Sequence, residues 1–388
     1  VDVQQQRIEM VDALRGYALL GLFLVHCVER FELHWLDPVP GPWFDATFAI
    51  FSGKAFAIFA LLFGFSFATI MGNERARGGD FTLRFTWRLV LLFLIGTLHA
   101  LIYRGDILQV LAAVGLLMIP FDRVKSERVL LILALLLFVQ LPLLYRAYAA
   151  ASGVEWAAAN PLFWGDSGLG VLASGSLPDV LAVNAGTGMK NKWAFYLETG
   201  RVVEIAGLFL VGMVIQHCGW FAGAKSHLRL WLGVLAGAGV LWIAVVLFGP
   251  LVLPGEGVPM MQRQSLQWAL DQWRALAATA FQVSAFVLLW ITPFQRLLSW
   301  LAAPGRMTLT LYVGQSLLAA PLLYGFGLGW WDDLAQAELV LAGVALFALQ
   351  AVGASYWYRA YRYGPLEWIW RAGTRVDWRI PMRRKAAT

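Results

Sequence analysis

Residues 228–249 read LRLWLGVLAGAGVLWIAVVLFG, with Arg229 as the single charged side chain. An apolar run of about 20 residues is what a helix needs to cross a hydrocarbon core. Several runs in this chain approach that length. Hydrophobic residues make up 60% of the 388 and charged residues 14%, against about 25% charged in a soluble globular protein. A soluble core could not bury so much apolar surface in so many separate runs, so a water-soluble fold is excluded. The expectation is an all-α, polytopic bundle of transmembrane helices embedded in a lipid bilayer. The 19 tryptophans suit interfacial belts.

The apolar pattern divides the chain into about ten spans, roughly 13–30, 46–71, 86–103, 106–121, 127–146, 198–217, 228–249, 272–292, 308–330 and 336–357. Basic residues mark every second connection. They are Arg75, Arg77 and Arg84, then Arg123, Lys125 and Arg128, then Lys225 and Arg229, then Arg296 and Arg306. The stretch 358–388 reads as a basic cytoplasmic tail, with Arg359, Arg362, Arg371, Arg375, Arg379, Arg383, Arg384 and Lys385. The intervening connections are poorer in base or acidic, as in WWDDLAQAE at 330–338. Because basic loops stay on the cytoplasmic side, both termini are expected in the cytoplasm. Topology therefore accounts for the net charge of +6, and no nucleic-acid partner is implied.

The amino-terminal VDVQQQRIEMVDALRG lacks the basic, apolar and small-residue regions of a signal peptide. The first run is expected to be retained as a helix. Cys27 and Cys218 fall at opposite membrane faces, so no disulfide is expected, and no spacing of metal ligands is found. No internal repeat or second soluble domain is visible, so 1–388 reads as one membrane domain. Residues 147–197 form a long outer connection, rich in Gly, Ala and Asn. Connections of that length are commonly lids or binding elements; a partly ordered surface loop is the plainer alternative.

Under this topology, ionisable groups gather at the outer ends of five elements. The first span ends with His26, Glu29, Arg30 and His34. His26 shares a helix face with Glu29 and Arg30 through its three- and four-residue spacings. Lys54 lies inside the second span, Arg201 and Glu204 open the sixth on one face, and HALIYRGDIL joins the third to the fourth. Charges within spans are costly and face a bundle interior or a wet cavity. His99 and Asp106, seven apart around Gly105, form the preferred base pair, since an aspartate holds a histidine in one tautomer and raises its basicity. His26 with Glu29 is the competing base. Arg30, Arg104 and His34 also fit interfacial roles, Arg201 with Glu204 fits an ion pair, and Lys54 fits pairing with Glu29, Asp106 or Glu204, or an anionic ligand.

Five stretches carry a resemblance: RIEMVDALRGYALLGLFLVH, GKAFAIFALLFGFSFA, GTLHALIYRGDILQVLAAVGLLMIP, GRMTLTLYVGQSLL and YRYGPLEWIWR. In this order they resemble the motifs of the YeiB-like membrane proteins, the domain-of-unknown-function family numbered 418. The matching positions are Asp12, Arg15, Gly16, Lys54, Gly64, His99, Gly105, Asp106, Arg306, Tyr312, Gln315, Ser316, Gly364, Pro365, Glu367, Trp368 and Arg371. That family usually ends its first span with Val-Asn; here the pair is Val25-His26. The family is similar to a wider group of transmembrane acyltransferases that includes heparan-glucosaminide N-acetyltransferase. The resemblance implies acetyl transfer from cytosolic acetyl-CoA, or another acyl-CoA, to a small-molecule or glycan acceptor across a bacterial cytoplasmic membrane.

The residues are compatible with that chemistry. A histidine suits removal of the acceptor's proton. Lys54, Arg104 or Tyr312 could donate to an oxyanion, with His34, Arg201, Glu204 and Gln315 around the acceptor. Arg84, Arg88, Arg296 and Arg306 could meet CoA phosphates. No serine elbow, phosphate loop or zinc motif occurs, so direct base-assisted transfer without a metal is preferred. A transporter or flippase for a small anionic or lipid-linked substrate is the alternative; it favours midplane sites and repeat symmetry. A homodimer is compatible with either.

Overall fold

The computed structural model describes residues 8–384. Lys385 and the two chain ends, expected in the cytoplasm, lie outside the described residues. Among the described residues there is no strand, only a lone antiparallel bridge between Tyr361 and Arg383. The elements are α1 Glu9–Val28, α2 Pro42–Phe51, α3 Lys54–Ala76, α4 Thr82–Ala100, α5 Leu108–Met118, α6 Glu127–Phe138 and α7 Leu141–Ala151. Short helices follow: α8 Glu155–Ala158, α9 Leu169–Ser174, α10 Leu177–Val183 and α11 Met189–Glu198. Then come α12 Arg201–His217, α13 Leu228–Val252, α14 Met260–Trp290, α15 Gln295–Leu298, α16 Ala302–Arg306, α17 Thr308–Leu323, α18 Gln336–Ala360 and α19 Pro365–Arg375.

This is an all-helical integral membrane protein. Among the described residues, seven helical stretches are long and apolar enough to cross a bilayer. The other three expected spans are helices of 11, 17 and 16 residues, α5, α12 and α17. Two expected spans are broken by local chemistry. Gly53, at φ 80°, separates α2 from α3. Buried Gln140 takes φ 60° between α6 and α7, and Pro142 opens α7, where its missing N–H costs nothing. The expected loop 147–197 is a string of short helices and a π-helical turn at Asn184–Gly188. Its helices are four to ten residues long. Such lengths are marginal alone and rest on tertiary packing.

Burial ranks the helices. The α1 stretch is 83% buried along its apolar window, while that of α13 is 11% buried and covers the rim. Around α1 the helices approach through glycines. A Cβ at Gly64 of α3 would overlap the Phe209 backbone on α12, and one at Gly212 of α12 would overlap the Leu61 carbonyl on α3. A reciprocal contact of this kind lets two backbones meet in a membrane, where water does not drive association. Gly16 and Gly305 bring α1 and α16 together in the same way. We expect Gly64→Val or Gly212→Val to cost about 1–3 kcal/mol by overpacking, read as a lower Tm in detergent. Gly233→Val, at a rim position with nothing within 4 Å of the added atom, should leave Tm unchanged.

Candidate functional site

The turn from α4 to α5 buries a polar corner. His99 is 4% and Asp106 0% exposed. His99 Nδ1 lies 2.8 Å from Asp106 Oδ1, and Asp106 Oδ2 accepts the Gln109 N–H at 3.1 Å. Gln109 Nε2 donates to Thr97 Oγ1 at 2.6 Å, and its Oε1 accepts from Lys192 of α11. Gly96 keeps the corner tight, because a Cβ there would stand 2.7 Å from the Gln109 nitrogen. An ionised carboxylate can only accept. His99 therefore donates from Nδ1 and keeps a lone pair on Nε2. That Nε2 is buried with no hydrogen-bond partner among the described residues.

His26, on the last turn of α1, has the same arrangement. Its Nδ1 lies 2.6 Å from the Tyr103 hydroxyl and 3.8 Å from Glu29 Oε2, and its Nε2 is buried without a partner. Tyr312 of α17 is flanked by both imidazoles, with ring centroids 5.1 Å from His99 and 6.5 Å from His26. Its hydroxyl accepts the Ile107 N–H at 3.3 Å. The four expected base-pair residues thus meet around two tyrosines.

Several other expected residues are placed elsewhere. Lys54 does not meet Glu29, Asp106 or Glu204; its ammonium donates to the Phe48 carbonyl at 3.2 Å. Arg201 forms no ion pair with Glu204, lying instead 4.7 Å over Phe56 and 5.0 Å over Phe195. A shared helix face does not outweigh two aromatic faces for a weakly hydrated guanidinium. Glu204 is fully buried, and neither oxygen has a hydrogen-bond partner among the described residues. His34 stacks on Phe44 at 4.2 Å, outside the imidazole pair. Gln315 donates to Gln350 at 2.9 Å. Arg104 is a clasp: Nε donates to Asn184 Oδ1 at 3.0 Å and Nη1 to the Ser167 carbonyl. Asn184 in turn donates to the Leu101 and Ile102 carbonyls at 2.9 and 3.3 Å. These bonds dock 147–197 onto the α4–α5 turn.

A cavity of about 600 Å³ reaches Ile107 and Tyr312 beside this corner. It follows α1 from Ile8 to Leu22, about 21 Å at helical rise. Its walls are mostly apolar, with Phe59, Phe63, Leu89, Leu92 and Leu111 among them. Ile107 and Tyr312 belong to its lining, and the His99 ring, outside the lining, lies 5.1 Å from that of Tyr312. A ring of arginines, Arg15, Arg88, Arg306 and Arg371 from α1, α4, α16 and α19, also lines it. Arg15 is set by Asp12 at 3.0 Å and donates to Ser66 at 3.2 Å. Arg88 lies 3.5 Å over Trp370, whose Nε1 donates to the Arg88 carbonyl at 2.8 Å. Arg306 lies 4.5 Å over Tyr358. Of the four arginines expected for a phosphorylated ligand, Arg84 and Arg296 are exposed outside this ring.

Glu367 anchors α19 beneath the ring, accepting from the Thr310 N–H at 3.1 Å and hydroxyl at 2.5 Å; burial pushes its carboxyl above the usual range. Burial likewise pushes Lys192 down to about 8, against the pull of Asp106. Lys192, Gln109, Asn184 and Tyr103 were not readable as site residues. Tyr103 and Gln109 lie within or beside the 99–106 knot, which is a signal. Lys192 and Asn184 sit in a stretch without usable periodicity.

Residues 7–164 match the family model described as "Heparan-alpha-glucosaminide N-acetyltransferase, catalytic", and residues 215–377 match "Protein of unknown function (DUF418)". Residues 215–377 are thus similar to the DUF418 family. Relatives similar along nearly the whole length include the uncharacterised proteins YxaH of Bacillus subtilis and YeiB of Escherichia coli. YxaH is 27% identical, over 98% of this chain and 97% of its own. YeiB is 28% identical, over 93% and 94%. An uncharacterised 39.9 kDa protein from the amylase 3' region of Bacillus acidopullulyticus is 27% identical, over 95% and 94%. The α1–α5 corner and one wall of the cavity thus lie in the acetyltransferase-like segment. The rest of the arginine ring, Arg306 and Arg371, lies in the DUF418 segment.

Replacing Asn184 by Leu would leave two buried carbonyls and one guanidinium short of a partner, at about 1–3 kcal/mol per lost partner. Amide exchange should quicken across 162–198 and stay slow in α1.

Proposed function

We propose that this protein is an integral membrane acyltransferase that takes an acyl group from acetyl-CoA, or another acyl-CoA, and passes it to a hydroxyl or amine across the membrane. One observation carries the reading: Tyr312, whose ring lies 5.1 Å from the buried imidazole of His99 with its unpartnered Nε2, lines the same elongated cavity as the arginine ring. Arginine forks suit phosphate oxygens, and a narrow apolar cavity suits the linear arm between a nucleotide and a thioester. The similarity of residues 7–164 to an acetyltransferase catalytic model supports the same chemistry.

In this mechanism the arginines hold the donor phosphates and the thioester lies against Tyr312. His99, oriented by Asp106, takes the acceptor's proton on Nε2. The acceptor oxygen or nitrogen bonds to the carbonyl carbon, and the Tyr312 hydroxyl donates to the oxyanion. The carbon–sulfur bond breaks with its electron pair on sulfur, and His99 returns the proton to the thiolate. The arginine ring is cytoplasmic, the chain spans the cytoplasmic membrane ten times with both ends inside, and 147–197 covers the acceptor side.

In proteoliposomes given labelled acetyl-CoA on the arginine side, label should reach an acceptor on the far side. His99→Gln should lower that transfer by about 10²–10⁴-fold, the usual loss for a general base. Absence of any acyl release in the wild type would sink the reading. CoA at 100 times its Kd should raise stability by about 2.7 kcal/mol, and Arg88→Ala should abolish most of that gain. For topology, a cysteine at 160 should label from outside in cells and one at 78 should be protected; the reverse pattern refutes the orientation.

A further inference from the structure

The basic stretch after α18 folds back on the end of that helix. The Arg362 N–H donates to the Met382 carbonyl and the Arg384 N–H to the Ala360 carbonyl, each at 2.9 Å, on either side of the bridge between Tyr361 and Arg383. Trp368 Nε1 donates to the Ile380 carbonyl at 2.9 Å and ties the returning chain to α19. Arginines distant in sequence thus stand side by side: Arg359 and Arg362 at the end of α18, Arg383 and Arg384 on the returning chain.

All four side chains are exposed. Among the described residues none of them has an ion pair. The two carboxylates between 359 and 384 are engaged elsewhere: Glu367 accepts from the Thr310 hydroxyl at 2.5 Å, and Asp377 accepts the Arg379 N–H at 2.9 Å. Arg359 lies 4.4 Å over Tyr356 and Arg383 5.9 Å over Tyr361. An aromatic face seats a guanidinium without neutralising it. Like charges gathered in one place repel one another, so the patch lacks a counter-anion.

The face of α18 that leads to the patch is apolar. Leu349, Val352 and Tyr356 are exposed. Their spacings of three and four continue to Arg359, so all four lie on one helix face. Because α18 is long and apolar enough to cross a bilayer, that face meets acyl chains. Arg359 then stands where acyl chains give way to headgroups. A bias for basic residues at span ends explains arginines at this depth. It does not explain why the chain returns to bring two more beside them.

We propose that Arg359, Arg362, Arg383 and Arg384 form a headgroup site for an anionic phospholipid whose acyl chains run along Leu349, Val352 and Tyr356. The guanidinium forks take the phosphate oxygens. None of the four lines the cavity that holds the arginine ring, so this site is separate from the one assigned to the acyl donor.

The test is native mass spectrometry of the full chain in neutral detergent, titrated with phosphatidylglycerol or with phosphatidylcholine of the same acyl chains. Phosphatidylglycerol should bind more tightly, by about fivefold for each arginine engaged. Arg383→Gln with Arg384→Gln should weaken it about 10–30-fold, and adding Arg359→Gln and Arg362→Gln should weaken it about 10²–10³-fold and remove the preference. The exposure of the four side chains should leave Tm in neutral detergent unchanged. Arg84→Gln with Arg296→Gln, two exposed arginines outside the patch, should keep the wild-type affinity. Equal affinity for the two lipids would overturn the site. So would a preference that survives the fourfold variant, or one lost as fully in the Arg84 and Arg296 variant. Glycerol phosphate binding as tightly as phosphatidylglycerol would mark a site for free phosphate and overturn the lipid.

Discussion

The hydrogen bond between His99 and Asp106 is the interaction on which the rest of the site depends. It closes the α4–α5 corner, and both groups are buried. Removing either would leave the other without its partner away from water, the costly case for a polar group. The same carboxylate takes the Gln109 N–H, which links it through Gln109 to Lys192. The corner also holds Ile107 against Tyr312 in the lining of the cavity. Orientation of the imidazole, docking of 147–197 and the inner wall of the cavity therefore rest on one pair.

The close helix approach is the second requirement. Gly64 and Gly212 let α3 and α12 meet backbone to backbone, and Gly16 and Gly305 do so for α1 and α16. These contacts set the depth at which Arg15 and Arg306 stand around the ring. The apolar walls and the charged ring thus share one scaffold, although the side chains that line them have opposite solvation.

Much of this was legible in the sequence. Each of the ten apolar stretches holds a helix, because long runs report burial directly. The His99–Asp106 contact is readable because a seven-residue spacing around Gly105 returns the chain on itself. What failed did so for definite reasons. Periodicity gives a face and not a neighbour: Arg201 and Glu204 share a face, yet the guanidinium lies on Phe56 and Phe195. Lys54 was expected to need a carboxylate, but the break at Gly53 leaves the Phe48 carbonyl within its reach. The segment 147–197 has helices too short for a periodic signal, so Asn184 and Lys192 could be found only once packing was known.

Arg15 belongs to α1 and Arg371 to α19, with Arg88 and Arg306 between them in the chain. Membrane helices emerge from the ribosome in order, and the amino-terminal part folds first. The His99–Asp106 pair is present in the chain once α5 has been made, whereas the ring is open until α19 arrives and Trp370 meets Arg88. A nascent chain therefore holds the His99–Asp106 pair long before its four ring arginines are assembled. Truncation ahead of α19 would leave the ring without Arg371 and Arg88 without the Trp370 face it lies on.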